Sequence, residues 1–105
     1  MKLKQALIDQ LVEIQGVTHE ELPSRDDGFS TLHYDGKEIG HFHHSHDLDL
    51  KLGKRLIQQD GLKHPPDSVS HPNRKAGSQY VELRFQSSDD LGRIVELVKR
   101  LVSSA

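Results

Sequence analysis

The chain contains no cysteine and no tryptophan, and aromatic residues occupy only 5% of its 105 positions. Without cysteine there is no disulfide framework and no thiolate ligand, so a metal site in this protein would need nitrogen and oxygen donors. The composition gives no argument for an oxidising compartment, and we therefore expect a cytoplasmic protein.

Long apolar runs are also missing. Polar residues interrupt the hydrophobic positions of the N-terminal segment MKLKQALIDQLVEI, which excludes a signal peptide or membrane span there. The sequence has no glycine-rich phosphate loop, no nucleotide or flavin motif, and no serine in a Gly-x-Ser-x-Gly context. The formal net charge is −2 and the basic residues are scattered, which argues against nucleic acid as a partner. A small-molecule ligand is one expected partner, and the choice of cofactor is open, with a metal ion as the candidate.

The length suits a single domain spanning residues 1–105. Apolar spacing predicts a helix over 3–15 and a C-terminal helix that starts at a capping box formed by Ser87 and Asp90. Strands are predicted at 29–34, 38–43, 47–52 and 79–85, with a weaker edge strand at 17–22, a short helix at 53–61, a turn at 23–28 and a long loop at 62–78. Asp-Gly at 35–36 is a strong hairpin signal.

This order predicts an α+β fold in two layers. An antiparallel β-meander of four to five strands would carry the N- and C-terminal helices on one face. The opposite face would be open to solvent or to a ligand.

Four histidines and two aspartates occur in the ten residues HFHHSHDLDL, 41–50. His41 and His43 are two apart on a predicted strand, so their side chains should share one face at roughly 6.5 to 7 Å. The same face could receive Asp49 or Asp47 from the next strand and His71 or His64 from the long loop. Such a set would suit non-haem iron, zinc, manganese or copper. His44 and His46 are expected to lie in a turn outside the site.

Other interpretations of these residues stay open. A wet polar face tolerates histidine freely, and Glu38 and Asp49 could pair with histidines simply to hold the hairpin. A cupin-like metal site is disfavoured because the chain has too few strands for a double-sheet barrel. A basic patch could suit an anionic ligand or merely be a solvated face, and three aromatic residues could line a pocket. The patch comprises Lys51, Lys54, Arg55, Lys63, Arg74 and Lys75, and the aromatic residues are Tyr34, Phe42 and Tyr80.

Several stretches together resemble a known family. They are GKEIGHFHHSHDLDLKL, a following loop with His and Pro, GSQYVELRF, and SSDD ahead of the last helix. They resemble the luciferase-type domain named after the fungal luciferases, which also occurs in stand-alone bacterial proteins of mostly unknown function. The similarity covers about residues 25–102.

The resemblance implies oxygen-dependent chemistry, because the fungal enzymes convert a hydroxylated pyrone with molecular oxygen. Carried over by position, the family motif matches Glu38, His41, His43 and Asp49, and its loop histidine corresponds to His64 or His71. Tyr80 stands where the family often has tryptophan, which argues against light emission.

Combining residues and resemblance, we expect catalytic roles for His41, His43 and Asp49. Ligand contacts are expected from Glu38, His64, His71 and Tyr80, and metal ligation from His41, His43, Asp49 and His71. Three functions remain open: a small-ligand-binding or oxygen-handling domain, a non-catalytic interaction or regulatory domain, and a His/Asp metal-binding protein.

Overall fold

The computed structural model describes residues 2–22, 28–75 and 77–103. The elements run in the order α1 (Leu3–Leu11), β1 (Val17–Glu21), β2 (Ser30–Tyr34), β3 (Lys37–Phe42), β4 (Asp47–Lys51), α2 (Lys54–Gln59), β5 (Tyr80–Arg84) and α3 (Ser88–Ser103). Of the predicted turn at 23–28, residues 23–27 lie outside the described part of the chain.

The five strands form one antiparallel sheet in chain order, β1-β2-β3-β4-β5. Asp35 and Gly36, between β2 and β3, have φ angles of 50° and 83°. Two successive residues with positive φ are what a tight hairpin of the primed type requires, and Asp-Gly supplies them at low cost. The predicted hairpin is therefore confirmed. β4 and β5 are also neighbours, although α2 and the long loop separate them in the sequence.

Helices α1 and α3 pack against each other and cover one face of the sheet, as predicted for an α+β fold. The contact is apolar because both helices turn their periodic aliphatic residues inward, and each fully buried side chain contributes about 1.5 to 3 kcal/mol. Phe42 belongs to this core and is fully buried, so it does not line a ligand pocket. The largest fully buried core side chains are Leu7, Leu11, Leu32, Phe42, Leu48, Leu50, Phe85 and Leu97.

The capping box ahead of α3 is present. The Asp90 N–H donates to Ser87 Oγ at 3.4 Å, and the Asp90 carboxylate accepts the Gln86 N–H at 2.8 Å. These bonds satisfy N–H groups at the helix start and fix its first residue close to the predicted position. Among the described helices, none is long and apolar enough to cross a membrane.

Helix α1 is shorter than predicted. It ends at Leu11, and the chain continues in tight turns in which the Glu13 N–H donates to the Gln10 carbonyl and the Ile14 N–H to the Leu11 carbonyl. The predicted end at residue 15 was wrong because Ile14 reaches the core from a turn rather than from a helix. Val12, which follows the last residue of α1, is 42% exposed.

The sheet face opposite the helices is less open than predicted. Asp49 of β4 and Glu82 of β5 belong to the polar face of the alternating pattern, yet only 1% and 4% of their surfaces are exposed. The loop at 62–78 lies over this part of the sheet, and its Ser68 is buried as well. Two carboxylates that the alternation placed on a wet surface are thus enclosed, and each needs a partner.

Candidate metal and ligand site

The strand register places the first two residues of the site. His41 of β3 lies directly opposite Asp49 of β4, and His41 Nε2 is 3.3 Å from Asp49 Oδ2. Gly40 permits this close approach, because a Cβ at that position would lie 2.7 Å from the Asp49 carbonyl oxygen. His43 follows β3 on the same face as His41, with ring centroids 4.6 Å apart.

The long loop supplies two further residues. His71 Nε2 lies 3.0 Å from His43 Nε2 and 3.3 Å from Asp49 Oδ2. Arg74 donates to both oxygens of Asp49, from Nη1 to Oδ1 and from Nη2 to Oδ2 at 2.8 Å. This bidentate pair satisfies the buried carboxylate with the planar geometry that favours arginine.

One ligand atom from each of His41, His43, Asp49 and His71 lies within 4.8 Å of every other. A four-coordinate tetrahedral ion with bonds of 2.0 to 2.2 Å would hold neighbouring donor atoms roughly 3.3 to 3.6 Å apart. The three short separations in this cluster, 3.0, 3.3 and 3.3 Å, are close to that spacing. Asp49 keeps free lone pairs beside its bonds to Arg74, since a carboxylate offers about four acceptor positions. The donor set therefore fits a divalent transition metal.

The charges in the cluster are unequal. Hydrogen bonding to Asp49 raises the pKa of His41, and Glu38 on its Nδ1 side, at 3.2 Å, acts in the same direction against the effect of burial. Burial lowers the pKa of His43 and of His71, which keeps both rings neutral near pH 7. Burial alone would raise the pKa of Asp49, but the hydrogen bonds from Arg74 and His41 outweigh it and hold that pKa far below its usual value.

A buried hydrogen-bond chain holds the loop in place. The Ser68 hydroxyl donates to Glu82 Oε1 at 2.7 Å and accepts the His71 N–H at 3.0 Å. His64 Nε2 donates to the His71 carbonyl at 2.7 Å. On its other oxygen Glu82 accepts the Arg84 Nε–H at 3.1 Å. The position of the His71 backbone is therefore fixed from the sheet and from within the loop.

Not every predicted site residue joins the cluster. Asp47 turns away and accepts the His44 N–H at 3.1 Å, so Asp49 is the aspartate that reaches the histidines. His64 supports the backbone of His71 instead of joining the four donor atoms. His44 and His46 are exposed, in the bend between β3 and β4.

Two residues of the expected ligand-contact set border the cluster. Glu38 contacts His41, and the Tyr80 ring centroid lies 6.2 Å from that of His41. Phe29 completes the aromatic surroundings, with its ring stacked on His41 at 5.4 Å. Tyr34 packs against the core instead.

Sequence reasoning missed four residues that border or support the cluster, which are Phe29, Ser68, Arg74 and Glu82. Arg74 was noted only as part of a basic patch, and the Ser68–Glu82 contact was not anticipated. The signal that could have found Arg74 and Ser68 is the acidic residue at an alternating position on each of the neighbouring strands β4 and β5, Asp49 and Glu82. Burial of either carboxylate would require a cation or hydroxyl donor from elsewhere.

These observations define a small α+β domain with three histidines and an aspartate gathered at the sheet face opposite α1 and α3. The family model of the Luciferase domain matches residues 36–101, more than half of the chain. The protein belongs to the Luciferase domain family, as the sequence pattern predicted. No curated protein and no solved structure matches the chain.

Proposed function

We propose that the protein binds one divalent transition metal ion through His41, His43, His71 and Asp49, and that the bound ion acts on a small organic ligand. The observation that carries this proposal is the convergence of the four donor atoms within 4.8 Å. His41 and Asp49 come from adjoining strands, His43 directly follows β3, and His71 comes from a separate loop, so local sequence composition does not account for their meeting.

The donor set indicates which ions suit the site. Imidazole and carboxylate ligands serve zinc and iron(II), and two histidines with one carboxylate are typical of non-haem iron oxygenases. A bound iron(II) ion would supply oxygen-dependent chemistry, in keeping with the reaction of the fungal members of the family. Burial favours the neutral form of His43 and His71, which is the form that a metal ligand requires, and His41 would also have to be neutral to coordinate an ion.

Within this proposal the protein side chains have distinct tasks. Arg74 orients the Asp49 carboxylate through its two hydrogen bonds, and Glu38 fixes the His41 ring through Nδ1. Outer partners of this kind set ligand orientation and basicity in metal sites. Phe29 and Tyr80 flank His41 and shield it from water.

The test is metal titration of protein purified without a histidine tag and stripped with EDTA. We expect one Zn²⁺ per chain by calorimetry, and a visible absorption band with Co²⁺. His71→Ala should weaken Zn²⁺ binding by more than the ~10–100-fold that loss of an outer partner costs. His44→Ala is the matched control, because His44 is an exposed imidazole on the same hairpin. Equal Zn²⁺ affinities for the two variants would disprove the proposal.

A non-catalytic interaction or regulatory domain is the competing function. It is favoured by the way Arg74, His41 and His71 already satisfy Asp49 without an ion. Under this alternative His71→Ala lowers the free energy of unfolding, and the wild-type chain binds neither Zn²⁺ nor Co²⁺. The same titration therefore separates the two functions.

A further inference from the structure

A cavity of about 390 Å³ lies between the long loop, α2 and the start of β5. Small-molecule sites span roughly 300 to 1,000 Å³, so this one suits a compact molecule with a single ring. Its walls combine apolar and polar surface in nearly equal parts. The apolar lining includes Ile57, Leu62, Pro65, Pro72, Tyr80 and Val81.

The lysine and arginine side chains that line the cavity give it positive charge. Lys63, Arg74 and Lys75 border the cavity, and none of the described residues that line it is Asp or Glu. Arg74 is already paired with Asp49, but neither lysine forms an ion pair with any described residue. Two ammonium groups beside an apolar wall attract an anion with an apolar body.

The cavity adjoins the histidine cluster through two shared residues. The Arg74 guanidinium lies over the Tyr80 ring, 5.7 Å from its centroid, and the same guanidinium holds Asp49. Tyr80 also faces His41. A ligand in the cavity would therefore contact the residues that separate it from the proposed metal ligands.

We propose that this cavity binds a small organic anion, a carboxylate with one flat apolar ring. The ring packs against Tyr80 and the proline walls, and Lys63 and Lys75 hold the carboxylate at the rim. The inference rests on the proposed function only in taking this anion as the molecule on which the metal acts. Binding of the anion itself requires no ion.

The experiment is an NMR titration of the full ¹⁵N-labelled, EDTA-treated chain with sodium benzoate. We expect shifts at the amides of Lys63, Lys75 and Tyr80, and a Kd raised about tenfold in the double variant Lys63→Ala/Lys75→Ala. The matched control is Lys37→Ala/Lys99→Ala, which removes the same charge from exposed positions outside the cavity. Benzyl alcohol, with the ring but no charge, and acetate, with the charge but no ring, should both bind more weakly than benzoate.

Equal benzoate affinity in the two double variants, or benzyl alcohol binding as tightly as benzoate, would overturn the inference. Zn²⁺ titration of Lys63→Ala/Lys75→Ala separates this failure from that of the proposed function. If Zn²⁺ binds while the affinity for benzoate does not depend on the two lysines, the proposed anion site is wrong and the proposed metal site stands. If benzoate depends on the lysines while the wild-type chain binds no Zn²⁺, the anion site stands and the metal site is wrong.

Discussion

Asp49 is the residue on which most of the site depends. It is almost fully buried, and its two oxygens contact Arg74, His41 and His71. A buried carboxylate is tolerated only when its partners replace the water that it has lost. Asp49 therefore contributes both to the proposed metal site and to the stability of the fold. Measurements on metal-free protein isolate its contribution to stability.

We expect Asp49→Asn to lower the free energy of unfolding by about 3 kcal/mol, because it leaves the largely buried guanidinium of Arg74 without a counter-charge. Urea denaturation at pH 7.5 with EDTA present measures this loss. Asp9→Asn is the control, since Asp9 is an exposed carboxylate on α1 that accepts one hydrogen bond from Gln5.

A second variant distinguishes the charge effect from general disruption. Asp49→Asn combined with Arg74→Met removes both charges, so it should be less destabilised than the sum of the single changes. A loss in Asp49→Asn no larger than that in Asp9→Asn would contradict the prediction, and strict additivity in the double variant would remove its explanation.

At the residue scale, the side chains of the cluster on the hairpin could be predicted from the sequence, but the residues that contact them could not. His41, His43 and Asp49 could be predicted because strand alternation and a short hairpin fix their common face. Arg74 could not, since its contact with Asp49 spans 25 positions and passes through an aperiodic loop. Alternation predicted the face to which Asp49 points, but it could not predict that the loop at 62–78 covers that face.

At the scale of elements, the loop at 62–78 carries the decisive part of the site. It brings His71 to the strands, and its buried Ser68 ties it to Glu82 of β5. The strands and helices were predictable from period and turn residues. The path of this loop was not, because the hydrogen bonds that attach it to the sheet, from Ser68 to Glu82 and from Arg74 to Asp49, join residues far apart in the sequence, and no local pattern encodes them.

Ser68→Ala tests whether this attachment positions His71. The substitution leaves the Glu82 carboxylate and the His71 N–H without their shared partner, so we expect the free energy of unfolding to fall by about 1 to 3 kcal/mol. We also expect Zn²⁺ affinity to fall about tenfold, as for other outer partners of metal ligands. Urea denaturation and calorimetry measure the two effects.

Ser70→Ala is the matched control, because Ser70 is a half-buried serine in the same loop. Ser68→Thr retains the hydroxyl and should recover part of the Zn²⁺ affinity. A purely steric role for the Ser68 side chain would not explain such a recovery. If Ser68→Ala and Ser70→Ala bind Zn²⁺ equally well, Ser68 does not position the ligand.

At the scale of the whole molecule, the eight histidines make the charge strongly dependent on pH. Protonating all of them changes the formal net charge from −2 to +6. The free energy of unfolding also depends on pH wherever burial in the folded state favours the neutral form of a histidine ring. His19 of β1 is such a residue outside the candidate site: its Nε2 lies 2.8 Å from Ser30 Oγ, and its ring contacts the core residue Phe42.

Burial lowers the pKa of His19 below its usual 6.5; Glu21 opposes the shift, and Lys4 and His33 add to it. Because the folded-state pKa lies below the unfolded one, the stabilisation is fully present above pH 6.5 and is lost as the pH falls through the folded-state value. We expect the free energy of unfolding to be lower at pH 5 than at pH 7.5, and His19→Gln to reduce that difference. Urea denaturation of EDTA-treated protein at both pH values measures this difference.

His46→Gln, which alters an exposed imidazole, is the control. Equal pH dependence in His19→Gln and His46→Gln would show that His19 makes no contribution. A wild-type chain as stable at pH 5 as at pH 7.5 would show that the raised pKa of His41, which has the opposite sign, offsets the buried neutral histidines.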